Sequence, residues 1–155
     1  EGSTPNALAY DAAAKMLFVA NADNNSVAVV RVAEKGESEV MGFIPAGWYP
    51  SALALSPDKK KLFVGNSKGL GGYSNVTGPN SPLRKAGMPA DSVKSLQKGS
   101  VQIVNLANLR TELRDMTRRV YENVPYRDEF LAASKAPTAP TVVPREVGAG
   151  SPIKH

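Results

Sequence analysis

Pro5-Asn-Ala-Leu-Ala-Tyr-Asp-Ala-Ala-Ala-Lys-Met-Leu-Phe-Val-Ala-Asn21 aligns without a gap to Pro50-Ser-Ala-Leu-Ala-Leu-Ser-Pro-Asp-Lys-Lys-Lys-Leu-Phe-Val-Gly-Asn66. Nine of the seventeen positions are identical, and the two stretches start forty-five residues apart. Each reads as two short strands joined by a polar turn. In the first copy the strands are Ala7–Asp11 and Met16–Asn21, with Ala12–Lys15 between them. In the second they are Ala52–Ser56 and Lys61–Asn66. Short β-branched and aromatic runs bounded by turn residues are the mark of strands rather than helices.

Working outward, Ser26–Val32 and Val40–Pro45 extend the first copy to four strands, A to D with A innermost. Asp23-Asn24-Asn25 and Lys35-Gly36 supply the turns between them. A period of about 40–45 residues built of short strands is the signature of a β-propeller blade. Rings of typically 4–8 blades close such a fold, so two copies imply a piece of a larger propeller. The third strand of the second copy comes late: Lys98-Gly99-Ser100-Val101-Gln102-Ile103-Val104 matches Asn24-Asn25-Ser26-Val27-Ala28-Val29-Val30. The offset has grown from 45 to 74, which places a 29-residue insertion between strands B and C. Long structureless loops in compact domains are usually functional or disordered.

After Leu106 the period changes. Leu106, Leu109, Leu113, Met116 and Val120 make one apolar helical face, which predicts a helix over 107–126 where a strand D would otherwise stand. Asn105 or Asn108 suits its cap and Val124-Pro125 its end. Asp115–Arg119 and Arg118–Glu122 have i,i+4 pairing distance, and Arg110, Arg114 and Arg118 form a basic stripe suited to a solvated face. Residues 127–155, with Ala-Pro-Thr-Ala-Pro-Thr-Val-Val-Pro, read as a linker. The expected organisation is a mainly all-β partial propeller over 1–106, with blade one at 5–45 and blade two at 50–106 carrying the insert 67–99. The helix and linker follow.

Counting strands also places the loops. In a four-stranded antiparallel blade the B–C and D–A connections share one end. Gly47-Trp48-Tyr49-Pro50 is a D–A connection and 67–99 a B–C connection, so both are expected beside Asn21–Asn25. Lys59-Lys60-Lys61 is expected at the other end, where the helix starts.

Composition narrows the function classes. The 155 residues contain no cysteine, which rules out disulfides and thiolate metal sites. No stretch resembles a signal peptide or a membrane span. The net charge of +5 is uneven: −1 over 1–66, +4 over 67–99 and +2 over 100–155. The basic insert suits a solvated loop or an anionic partner surface. Aromatics do not interleave with the basic residues as a nucleic-acid stacking platform requires, so no nucleic-acid partner is expected.

Pro50–Asn66 resembles the YVTN-type β-propeller repeat of bacterial and archaeal surface and periplasmic proteins, over about residues 5–106. Gly47-Trp48-Tyr49-Pro50, Gly65–Gly71, Gly78-Pro79-Asn80, Lys98–Val101 and Val120–Tyr126 are similar to one subgroup of them. There the propeller precedes an alkaline-phosphatase-superfamily phosphoesterase domain, and Ser151–His155 resembles the lead into that domain. The resemblance implies a periplasmic or extracellular protein with a phosphoesterase-like domain as the partner of this segment. The metal ligands and nucleophile of such an enzyme would lie beyond His155, so none is assigned to a residue here.

Within the chain, His155 is the one histidine, at the end of the linker where nothing holds it within reach of a reacting group; with no second histidine and no cysteine, Ser-His-Asp and Cys-His triads are not expected. Asn21–Ser26 has oxygen ligands in a calcium-loop manner but lacks the central glycine and the twelfth-position Glu; it reads as an Asx-rich turn. Lys68-Gly69-Leu70-Gly71-Gly72 has the wrong order for a phosphate loop. A propeller hydrolase of the lactonase kind would need polar side chains on the innermost strands, where only Asp11 and Ser56 are available. A purely structural cell-surface repeat protein is the third reading. No catalytic residue, metal ligand or cofactor is expected in the chain. Trp48 and Tyr49 suit either plugging a gap between blades or anchoring an interface. With Lys68, Tyr73, Arg84 and Lys85 of the insert they are the candidate ligand- or partner-binding residues. Exposed sheet edges and an uncovered apolar blade face predict self-association of the segment.

Overall fold

The computed structural model describes residues 4–72, 75–88 and 96–123. The chain divides into two compact units, 1–124 and 125–155; the expected linker and His155 belong to the second and lie outside the described residues. Among its described residues the first unit has seven strands and, at Leu109–Asn123, a long helix.

Strands β1 (Pro5–Asp11), β2 (Met16–Asn21), β3 (Ser26–Arg31) and β4 (Glu39–Pro45) form an antiparallel sheet in chain order. A second antiparallel sheet contains β5 (Pro50–Leu55), β6 (Lys61–Asn66) and β7 (Ser100–Asn105). The repeat is a repeat of structure to the level of register. Leu8 pairs Val19 as Leu53 pairs Val64, and both ladders carry an irregularity at the same place, Pro5/Ala7 and Pro50/Ala52. Thr4 and Tyr49, which precede the two prolines, both have positive φ, 50° and 60°. Asn21 pairs Ser26 as Asn66 pairs Ser100. Four residues, Ala22–Asn25, close the first of these hairpins; 67–99 close the second, so the insertion falls where the alignment put it.

Alternation along the strands sorts the side chains between two faces. Phe18, Val27, Val29 and Ile44 on the first sheet and Leu62, Val64 and Val104 on the second form one buried cluster between the sheets. Leu53 and Leu55 pack against it half-buried. Gln102 donates to Pro45 O across the two sheets at 2.9 Å.

Helix α1 (Leu109–Asn123) completes the unit. Leu109, Leu113 and Val120 are buried, and Leu106 and Met116 pack beside the core. The apolar face is thus the one the period indicated, but its location differs from the expectation. Instead of standing in for a fourth strand of the second sheet, α1 packs on β4 of the first. Thr117 is the reason. Its Oγ1 accepts from Phe43 N–H at 2.9 Å, on the outer edge of β4, and donates to Leu113 O at 2.6 Å. A bulge leaves Met41 unmatched between Val29↔Gly42 and Val30↔Val40. Tyr121 meets Phe43 edge-on at 6.0 Å. Asn108 takes the expected cap position directly before α1, though among the described residues neither it nor Asn105 makes a side-chain bond to the first turn. Asn105 Oδ1 accepts from Ala107 N–H, and Asn108 uses its carbonyl to accept from Thr111 and Glu112. On the exposed face Asp115 pairs Arg118, three residues on, rather than Arg119. The expected stop at Val124-Pro125 lies outside the described residues.

Candidate functional site

The Gly47–Pro50 connection and the start of the insert are laced together. Beyond Pro50↔Asn66 the β5–β6 ladder continues irregularly: Ser67 N–H donates to Tyr49 O at 3.0 Å and Lys68 N–H to Trp48 O at 3.0 Å. Trp48 N–H in turn donates to Gly69 O at 2.7 Å. Gly47 permits this closeness, since a Cβ there would stand 2.6 Å from Gly69 O and 2.8 Å from Asn66 Nδ2. The turn of the first hairpin joins in. Asn25 Oδ1 accepts from Tyr49 N–H and Asn25 O from Ala46 N–H, both at 2.9 Å. All three loops therefore meet at one end of the unit, as strand counting required. Lys60 O accepts from Leu106 N–H at the other end, beside the start of α1.

This lacing fixes the backbone and leaves the side chains on show. Trp48 is 48% exposed. Its ring lies 3.9 Å from where a Cβ on Gly72 would be. It also shares a hollow of about 360 Å³ with Asn24, Asn25 and the end of α1 at Val120 and Asn123. Lys68 Nζ stands 4.5 Å above the half-buried Tyr49 ring. An exposed cation–π contact of this kind contributes about 0.5–1 kcal/mol, enough to bias the lysine toward the ring while its charge faces solvent. The structure thus brings together Trp48, Tyr49 and Lys68.

The remaining predicted residues do not join them. Arg84 and Lys85 are exposed in successive turns of the insert, with no bond to the Trp48 cluster among the described residues. Tyr73 lies outside the described residues. The sequence reading missed Asn25 and Asn66. Asn66 is buried, its Nδ2 reaches Ser100 Oγ at 3.4 Å, and its Oδ1 has no partner among the described residues. The end of α1 was missed as well. The asparagines left a signal, since each closes a strand or turn at the end where the loops gather.

Other candidate chemistry is absorbed by turns. Asp11 Oδ1 accepts from Ala13 N–H at 3.0 Å and Ala14 N–H at 3.2 Å. Ser56 Oγ donates to Asp58 Oδ1 at 2.6 Å and accepts from Lys61 N–H at 2.9 Å. The equivalent positions of the two copies thus do the same local work. In the Asx-rich turn, Thr4 Oγ1 donates to Asp23 Oδ2 while Asn25 Oδ1 holds Tyr49. Among the described residues no three His, Cys, Asp or Glu side chains gather as a metal site would need. No described helix is long and apolar enough to cross a membrane. No protein-family model matches the chain, and no curated protein matches it.

Proposed function

We propose that this chain is a non-catalytic recognition segment: two β-propeller blades of the YVTN type, from a secreted or periplasmic protein with a phosphoesterase-like domain. Its loop end would shape the substrate entrance of that domain or bind a partner. The observation that carries this reading is the lacing of Gly47–Tyr49 to Ser67–Gly69. A rigid backbone holding a half-exposed tryptophan beside a positioned lysine is the arrangement of an interface anchor.

The lactonase-like reading draws no support from Asp11 and Ser56, whose polar atoms serve their own turns. The test uses the parent protein. Deleting 73–95 is expected to change its substrate range or partner binding, and Trp48→Ala to weaken the same function without loss of fold. Wild-type activity and binding in both variants would end the proposal. Titrating the parent with divalent metals and a phosphate ester separates it from the lactonase reading.

A further inference from the structure

A second hollow, of about 770 Å³, opens between the first sheet and the first turns of α1, at the end of the unit away from Trp48. Its floor is apolar. Val29, Leu109 and Leu113 are all buried, and Met16 adds a half-buried thioether. Among the described residues its lining also carries three arginines and no acidic residue: Arg31 from β3, with Arg110 and Arg114 one turn apart on α1.

The arginines come from distant parts of the sequence and are brought to one mouth by the packing of α1 on β4. Arg31 is located there by its Nη2, 2.9 Å from Sδ of Met41, the residue the β4 bulge adds to the lining. Its Nη1 lies 3.6 Å from Glu39, an exposed pair that offsets little of its charge. Arg110 and Arg114 have no ion-pair or hydrogen-bond partner among the described residues. Of the helix acids near them, Glu112 and Asp115, neither lines the hollow, and Asp115 is engaged by Arg118. Three arginine side chains lining one hollow give it a positive field that favours an anion, and their planar forks suit carboxylate and phosphate oxygens. Cavities of roughly 300–1,000 Å³ with apolar walls and a few placed polar groups are the usual form of small-molecule sites.

We infer that this hollow binds an amphipathic anion: a carboxylate or phosphate head held by Arg31, Arg110 and Arg114, with an aliphatic body on Val29, Leu109 and Leu113. The inference is independent of the Trp48 surface, since the two sites share no residue. It also gives Arg110 and Arg114, two of the three arginines of the α1 stripe, a function that a solvated face would lack.

The test is calorimetric titration of the full chain with monomeric decanoate, decyl phosphate and the neutral decanol. Saturable one-to-one binding of at least one anion is expected, with decanol weaker by about tenfold or more. The better of the two heads identifies the anion class. The double variant Arg110→Gln/Arg114→Gln is expected to lose about tenfold or more in affinity while melting as wild type. Arg118→Gln and Ile103→Asp, which lie outside the hollow, are expected to bind normally. Equal affinity for decanol, no saturable binding of either anion, or full affinity in the double variant would overturn the assignment. So would loss of binding in Ile103→Asp, because the alkyl chain would then sit on the open sheet face.

Discussion

Gly42 is the residue on which the junction between sheet and helix turns. An added Cβ would fall on Thr117 Oγ1 and 3.0 Å from Leu113 Cγ, so the close approach of α1 depends on glycine here. Both groups it would displace are committed, Thr117 to Phe43 N–H and Leu113 to the core. Gly42→Val is expected to cost about 1–3 kcal/mol through overpacking, read as a lower urea midpoint. Gly71, with nothing within 4 Å, provides the control: Gly71→Ala should stay within about 0.5 kcal/mol of wild type. Asp58 offers a different residue-scale test, in the β5–β6 turn. Its carboxyl is held below the ordinary 3.8, first by the Ser56 hydroxyl, then by Lys60 N–H, with the Lys60 charge adding to them. A carboxylate whose folded pKa is depressed contributes fully above its unfolded pKa and loses that contribution as pH falls through the folded value. Asp58→Asn is therefore expected to melt below wild type at neutral pH, with the gap closing in acid below about 3.8. A gap that persisted unchanged into strong acid would contradict this account of the turn.

At the scale of elements, the strands were legible and the packing of the helix was not. Met16–Asn21 and Lys61–Asn66 have the bounds that their sequences indicate, because alternation and turn chemistry are local signals. The 29-residue insertion could be read for a similar reason: Ser100 pairs Asn66 just as Ser26 pairs Asn21. The helix showed its buried face through Leu109, Leu113 and Val120, yet nothing in that period says which sheet receives it. The choice is made by Gly42 and Thr117, seventy-five positions apart, one clearing space and the other satisfying an edge N–H. The mouth of arginines was hidden on the same ground, because Arg31 meets Arg110 and Arg114 only through that packing. Among the candidate site residues, Trp48, Tyr49 and Lys68 were recoverable from strand counting, which fixes which loops share an end. Since Leu113 belongs to the core formed by both sheets, α1 is an integral part of the unit rather than an appendage. Leu113→Ala should then cost about 2–5 kcal/mol in one cooperative transition. A separate early loss of helical signal, with the sheets melting as before, would mean that α1 folds and unfolds on its own.

The whole unit has one filled face per sheet and one open face per sheet. Between the sheets Phe18, Val27, Ile44, Leu62 and Val64 are removed from water. On the outer sides the alternation places a second apolar set. Leu8 and Tyr10 on the first sheet are 64% and 48% exposed, and Val101 and Ile103 on the second are 70% and 61% exposed. Isolated apolar side chains at a surface are ordinary, but contiguous ones on a flat sheet mark a surface that associates. Beyond β7 the ladder has no further strand among the described residues, which adds unpaired backbone groups to an apolar face. Burying these faces against a second copy would remove the exposed set from water at about 25 cal/mol per Å², and only part of that gain is offset by the cost of association. The segment in solution is therefore expected to self-associate in a concentration-dependent way, measured by sedimentation equilibrium. Val101→Asp/Ile103→Asp should shift it toward monomer without lowering its melting temperature appreciably, because these side chains lie outside the core. Arg118→Gln, on the exposed face of α1, should leave the association unchanged. A compact monomer at every concentration for the wild-type segment would show that the open faces are tolerated as they stand.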